Sequence, residues 1–394
     1  MHTQKRSIWF GSVVMICLIA ASLCSIAQPT DTSAQGRRLC STGAFAINQT
    51  LPNGASWSMC WEERSNEGIV LHNVRYTPPN GAPRLILAQM NLAQIHVPYD
   101  DNTARFHDLS DYGLGDGNLN NMNAADCPNG TLVQNNGKNV LCHFVAPSGY
   151  AYKYRSVLKQ ATSLVVFSVS HIGEYNYVVQ WTFGDDGTIE PAVGATGKLQ
   201  KYTTDPRYSW PLNATQRGTS HVHNYYWRLD FDVAGSTNNV VEMIEFGGSG
   251  TAQRPLALIN YTTETAAQFS PSTFRSWRVK NTSVLNSDNH VVSYELAPGG
   301  SETFRGPDFE PWTKNDVYVT QYNLCERWAS HNSTGGGCGD DLSAFVNGQT
   351  VQDPIVWYGV TFHHLARDED QPIMSSHWSS FTIAPRDMDA TQQR

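Results

Sequence analysis

The 394-residue chain carries 27 Lys and Arg against 35 Asp and Glu, a formal charge of −8, with 40% hydrophobic and 16% charged residues. That balance excludes a mostly disordered chain and a multi-span membrane protein, and its acidic sign argues against a nucleic-acid partner. Gly (31), Pro (19) and aromatic residues (11%) are plentiful while long Ala/Leu/Glu/Lys stretches are missing, the palette of an all-β protein with many turns.

Lys5 and Arg6 precede an apolar run from Ile8 to Ala27 that ends in the small-x-small site Ser25-Ile26-Ala27, ahead of Gln28 and Pro29. This pattern predicts a secretory signal peptide over residues 1–27, and hence a secreted, extracellular protein without a stable membrane span. A retained membrane anchor is the rival, since the run approaches spanning length. A lipid attachment at Cys24 is disfavoured by Leu23, a large residue where a small one is wanted. Removing the segment deletes two positive charges and no negative ones, so the remaining 367 residues carry 25 − 35 = −10.

Residues 28–39 read as a polar leader, and from residue 40 to 394 no internal linker, repeat or low-complexity tract interrupts the chain. Runs with strand character recur in order: Gly68–Tyr76, Leu85–Ile95, Leu164–Val169, Tyr175–Phe183, Tyr225–Val233, Val240–Phe246, Val291–Leu296, Val317–Tyr322 and Val356–Phe362, each bounded by Gly, Pro, Asn or Asp. No amphipathic helix of three turns stands out. The predicted architecture is one large β-sandwich with few short helices, spanning residues 40–394.

Export would leave six cysteines: Cys40, Cys60, Cys127, Cys142, Cys325 and Cys338. An even count in an exported chain points to disulfides, and sequential pairing (40–60, 127–142, 325–338) closes three short loops, one choice among 15 connectivities. A zinc site is a poor alternative, because no pair has CxxC spacing. Glycosylation sequons occur at Asn48, Asn129, Asn213, Asn260, Asn281 and Asn332 and fit a secretory route.

Among 13 histidines, His221-Val222-His223, the pair His363-His364 and isolated residues such as His107 stand out. On a strand, residues i and i+2 face the same side, so His221 and His223 can offer two imidazoles to one metal. A half-exposed strand is the ordinary explanation of a lone His-x-His. A third histidine from a distant strand would complete a three-imidazole site of the kind that suits copper or zinc.

Several longer stretches carry a resemblance. Ser170-His171-Ile172-Gly173-Glu174-Tyr175-Asn176-Tyr177, followed by Gln180-Trp181-Thr182-Phe183, resembles the quinone-forming motif of copper amine oxidases, Thr-x-x-Asn-Tyr-Asp/Glu-Tyr before a Trp-bearing strand. The likeness continues, in the family's order, through Glu67–Tyr76, Val97-Pro98-Tyr99, Asp108-Leu109-Ser110-Asp111-Tyr112-Gly113-Leu114-Gly115, Gly218–His223, Arg228–Asp232, Asp353–Tyr358 and His363–Met374. It covers about residues 55 to 385, and several motifs in order are far more specific than any one.

The resemblance implies a copper- and topaquinone-dependent oxidase of primary amines, using dioxygen and releasing aldehyde, ammonia and hydrogen peroxide through a quinone Schiff base. It implies that Tyr175 is the tyrosine converted to topaquinone and that His221, His223 and His364 ligate copper. Asp108 would be the catalytic base, Tyr99 the hydrogen-bond partner of the cofactor oxygen, and Phe106 an aromatic gate. It supports the Cys127–Cys142 pairing and implies a homodimer. Asp230, Asp232 and Asp353, with main-chain oxygens of Phe231 and Pro354, match a peripheral site whose hard oxygen donors suit calcium. Exposed strand-end acids are the ordinary alternative there.

The chain departs from the family's pattern at both neighbours of the key tyrosine: Glu174 stands where Asn is usual and Asn176 where an acid is usual. A carboxylate beside the cofactor could repel its oxyanion or slow its formation. The family's smaller N-terminal domains are absent from this sequence, and Asp387-Met388 replaces an aromatic pair. These departures motivate the alternative of a metal-binding β-sandwich, a binding or matrix protein that has lost quinone formation. A zinc hydrolase would leave the Tyr175 and Asp108 motifs unexplained.

Overall fold

The computed structural model describes residues 45–248, 250–299, 302–333 and 337–389. All nine runs read as strands are strands, most of them one or more residues longer than the reading gave. The longest helical elements among the described residues are five-residue Asp108–Tyr112 and four-residue Leu342–Phe345 and Pro311–Lys314. None is long and apolar enough to cross a membrane. The proposed signal segment and leader lie outside the described residues.

Two large antiparallel sheets carry the fold, one of nine strands and one of eleven. Strand Tyr175–Gly184 sits inside the eleven-stranded sheet, between Val157–Ile172 and Ile189–Gly197. Its residues alternate buried and half-buried, so Tyr175, Tyr177, Val179, Trp181 and Phe183 share the inner face. Strand His221–Phe231 is central in the nine-stranded sheet, between Arg84–Pro98 and Pro354–His364.

Every residue of His221–Phe231 is buried because both of its faces are covered. Tyr225, Trp227 and Leu229 join the main core between the sheets, where Trp227 meets Trp181 edge-on at 6.1 Å. On the opposite face Tyr226 packs with Trp312, Tyr318, Phe345 and Trp357 in a second apolar cluster. Two layers of aromatic packing therefore clamp this strand, and burial of so many large side chains is the dominant favourable contribution to its stability.

Cys127–Cys142 and Cys325–Cys338 are disulfides. Cys60 is disulfide-bonded as well, while Cys40 of the expected 40–60 pair lies outside the described residues. Two sequons are unsuited to modification of the folded chain. Asn281 and Asn332 are buried, and their amide nitrogens donate to the carbonyls of Val233 and Cys325 at 2.9 Å.

Candidate metal centre and active site

Three neighbouring strands of the nine-stranded sheet place their ends side by side. His221 pairs directly across from His364, and on its other side it bridges to Tyr99. His223, two residues on, points to the same inner face as His221. The resemblance implies His364 rather than its neighbour His363 as a ligand, and the geometry distinguishes them. His364 Nδ1 is 3.4 Å from His221 Nε2, whereas His363 turns away to Asp100 at 2.7 Å.

Hydrogen bonds fix the tautomers of this cluster. His221 Nδ1 lies 3.0 Å from the carbonyl of Thr219, which can only accept, so Nδ1 carries the hydrogen and Nε2 presents a lone pair. His364 Nε2 lies 3.0 Å from Asp370 Oδ2, so its Nδ1 likewise presents a lone pair. His223 Nε2 is 3.0 Å from His221 Nε2. Burial pulls the imidazole of His221 down to about 3 and that of His223 well below its ordinary value; burial also lowers His364.

The lone pairs on His221 Nε2 and His364 Nδ1 lie 3.4 Å apart with His223 Nε2 beside them, an arrangement that a shared cation would satisfy. The donor set fits copper or zinc. Thr219 and Asp370 orient His221 and His364, as outer partners do for histidines that hold a metal. Neither was identified from sequence. Asp370 stood six residues beyond His364 within a quoted motif, but nothing in a sequence fixes which acid of Asp368-Glu369-Asp370 turns inward. Here the backbone N–H of Arg367 holds the Asp370 carboxylate at 2.9 Å.

The opposite sheet supplies Tyr175. Gly173 and Glu174 form a two-residue hairpin turn, with Gly173 at φ 59° as the first turn residue. Tyr175 is the first strand residue after it, and its hydroxyl donates to His221 Nε2 at 2.9 Å, with Met374 Sδ at 4.0 Å. Tyr99 hydrogen-bonds the Tyr175 hydroxyl and stacks on the His221 ring at 4.7 Å. Phe106 meets Tyr99 edge-on at 6.2 Å. Burial raises the phenol pKa of both tyrosines, so both are neutral. Gly197 closes this corner: a Cβ there would lie 2.1 Å from the Glu174 carbonyl, so only glycine fits.

Glu174 and Asn176 point elsewhere. The Glu174 carboxylate is 54% exposed and lies 3.9 Å from Lys198 Nζ. Asn176 faces the outer side of the strand, where His171 Nδ1 bonds its Oδ1 at 2.7 Å. Strand alternation therefore keeps both departures from the family's pattern off the Tyr175 ring.

Asp108 opens a one-turn π-helical segment, Asp108–Tyr112, after the short strand Arg105–His107. It is buried, and its Oδ2 accepts from the Tyr177 hydroxyl at 2.7 Å. The Tyr177 ring lies parallel to that of Tyr175, centroids 6.0 Å apart. Burial pushes the Asp108 carboxyl up to about 7; the Tyr177 hydrogen bond opposes the rise and nearby Asp111 adds to it. Tyr177 is a further residue not singled out from sequence, although its i+2 spacing from Tyr175 places it on the same face. A cavity of about 240 Å³ opens on the metal side, lined by Tyr175, His223, His364, Asp370, Met374 and His377.

A second cluster lies elsewhere. Asp230, Asp232 and Asp353 bring carboxylate oxygens within 4.8 Å of one another, the first two buried. Phe231 and Pro354, both buried, are their chain neighbours.

The family model for the copper amine oxidase enzyme domain matches residues 53–393. The chain belongs to the copper amine oxidase family. It is 28% identical over 402 residues to a primary amine oxidase of Klebsiella aerogenes, covering 86% of this chain and 52% of that protein. Primary amine oxidase 1 of Arabidopsis thaliana is 26% identical over 402 residues, with 86% and 61% covered. The chain thus spans about half to three-fifths of the length of these relatives. In fold it is similar to a copper-containing benzylamine oxidase from Hansenula polymorpha, with a TM-score of 0.73 at 19% identity over 92% of this chain and 65% of that one. The amine oxidase of Aspergillus nidulans gives a TM-score of 0.72 at 18% identity, with 98% and 56% covered.

Proposed function

We propose that this chain is a secreted primary-amine oxidase. It would convert a small primary amine, dioxygen and water to aldehyde, ammonia and hydrogen peroxide. The observation that carries the reading is the Tyr175 hydroxyl at 2.9 Å from His221 Nε2, inside a cluster of three convergent neutral imidazoles. His221, His223 and His364 would hold copper, and Tyr175 would become topaquinone. Together these groups would supply an electron sink for the amine and a route for electrons to dioxygen.

The chain's own residues do the rest. Asp108 removes the Cα proton of the bound amine, and a carboxyl pKa near 7 is matched to that task at neutral pH. Tyr177 holds the carboxylate in one orientation. Tyr99 donates to the oxygen of residue 175 and, with His221, keeps that ring from swinging freely. Thr219 and Asp370 keep His221 and His364 in the ligating tautomers. Core packing around Tyr175 and Asp108 excludes bulk water, which strengthens each of these contacts.

Asp230, Asp232 and Asp353, with the main-chain oxygens of Phe231 and Pro354, would take calcium, a hard ion suited to oxygen donors. Residues 1–27 would direct secretion, residues 28–39 a polar leader, and 40–394 the catalytic domain; a homodimer is the assembly the family suggests. The position of Glu174, beside Lys198 and half exposed, supports the oxidase over a metal-binding sandwich without quinone chemistry.

Peroxide release against mono-, di- and aromatic amines tests the proposal. At least one amine should give stoichiometric peroxide and aldehyde, and Asp108→Asn should abolish both. No peroxide from copper-loaded protein with any amine would favour the binding-protein reading.

A further inference from the structure

The turn that carries Asp108 also carries Asp111, and Asp111 sits between two imidazoles that the proposed chemistry does not use. His331 Nδ1 is 3.0 Å from Asp111 Oδ1, and His107 Nδ1 is 4.0 Å from Asp111 Oδ2. The three side chains each bring a donor atom within 4.8 Å of the others. His107 ends strand Arg105–His107 and Asp111 lies in the turn that follows it, while His331 comes from a loop more than two hundred residues on. His331 adopts φ 50°, and its ring stacks on His107 at 3.7 Å.

We propose that His107, Asp111 and His331 form a second transition-metal site, one that takes zinc or a similar divalent ion. Two imidazoles and a carboxylate are the protein ligands of many open zinc sites and of facial-triad sites, with the remaining positions left to water. His107 is buried beside His96, ring centroids 4.8 Å apart, with its Nδ1 turned to Asp111 Oδ2. The side chains of His331 and Asp111 are 48% and 40% exposed, which gives an ion a way in from solvent and lets His331 turn to meet it.

A neighbouring trio, His96, His107 and Glu310, has the same donor types but fails on charge. Glu310 Oε1 already accepts from Arg105 Nε at 2.7 Å and from His96 Nε2 at 3.1 Å, and Arg105 Nη2 engages Oε2. That carboxylate is neutralised, and the trio is buried throughout. Asp111 has no such cation: among the described residues its further hydrogen bond comes from Ser110 Oγ at 3.3 Å. Its charge is therefore available to an ion. Bound there, the ion would share a five-residue turn with Asp108.

Zinc titration of copper-loaded protein, by calorimetry with both metals counted by mass spectrometry, tests the site. Wild-type protein should bind one more zinc per chain than His331→Ala or Asp111→Asn, with the copper count equal in all three. Cobalt(II) in the same position should give visible bands that disappear in His331→Ala. Equal zinc counts in wild type and both variants would overturn the proposal. So would wild-type protein that takes no zinc beyond its copper. Because copper is counted separately, either result stands apart from the fate of the oxidase reading. His331 and Asp111 are exposed enough that their substitution leaves the core packing intact.

Discussion

The two paired strands His221–Phe231 and Pro354–His364 carry a metal-ready cluster near each end, and the clusters differ in every respect that chemistry reads. At one end His221, paired with His364, and His223 look into the sandwich as neutral nitrogen donors beside Tyr175. At the other, Asp230 lies on the opposite face of the strand and joins Asp232 and Asp353 as oxygen donors remote from Tyr175. One β-ladder thus presents soft and hard donors about nine residues, or roughly 30 Å, apart. The difference teaches that strand parity and strand end, rather than the mere presence of ligand-type residues, decide which cluster can do redox chemistry. The histidine end meets an oxidisable ring from the facing sheet, and the aspartate end does not.

The strongest way to break that contrast is to empty the nitrogen end. His221→Ala removes a proposed copper ligand, the acceptor of the Tyr175 hydroxyl and the ring on which Tyr99 stacks. Copper content and amine-dependent peroxide should both fall to background, read by metal analysis and a coupled peroxidase assay. Asp108→Asn comes next, with copper retained and turnover reduced ~10²–10⁴-fold, the usual range for a lost general base.

The same variant separates stability from activity. The folded carboxyl of Asp108 titrates near 7, above an unfolded value of about 3.9, so its contribution to stability is complete at low pH and is lost as pH rises through about 7. Asp108→Asn should therefore match or exceed the wild type in Tm at pH 8, as calorimetry would show. Tyr177→Phe is subtler: removing a hydrogen bond that lowers the Asp108 pKa should move the rising limb of the kcat/KM profile to higher pH. A profile that keeps its midpoint while the rate drops would mark Tyr177 as packing alone.

At the oxygen end, Asp353→Asn should lower thermal stability in calcium-containing buffer by about 1–2 kcal/mol, the scale at which removal of one buried interaction is usually felt. Peroxide production should stay within about twofold of wild type, because nothing at that end touches Tyr175. Glu174→Asn is the smallest change. Its exposed pairing with Lys198 contributes little, ~0–1 kcal/mol, so cofactor formation and activity should be nearly unaltered.

Much of this arrangement was legible beforehand, for identifiable reasons. The His221/His223 spacing and the Tyr175–Phe183 alternation follow from the two-residue period of a strand, so facing could be read directly. The meeting of His364 with them was legible only through resemblance, because it depends on the register His221↔His364, which no local pattern encodes. Asp370, Thr219 and Gly197 escaped notice because their roles arise from where loops turn back onto the sheets. The direction of Glu174 was not legible either: at a two-residue turn, adjacency in sequence to Tyr175 leaves its carboxylate beside Lys198. The His107–Asp111–His331 grouping was equally hidden, because His331 lies more than two hundred residues beyond the other two.

The central claim is that three imidazoles and Tyr175 are assembled for copper-driven oxidation of that tyrosine. Metal-free protein exposed to copper in air, digested, and analysed by mass spectrometry over the peptide containing Tyr175 tests it most directly. The account predicts a mass gain on Tyr175 that requires both copper and dioxygen, together with a coloured phenylhydrazine adduct, and neither in His221→Ala. An unmodified Tyr175 in fully copper-loaded protein would contradict it.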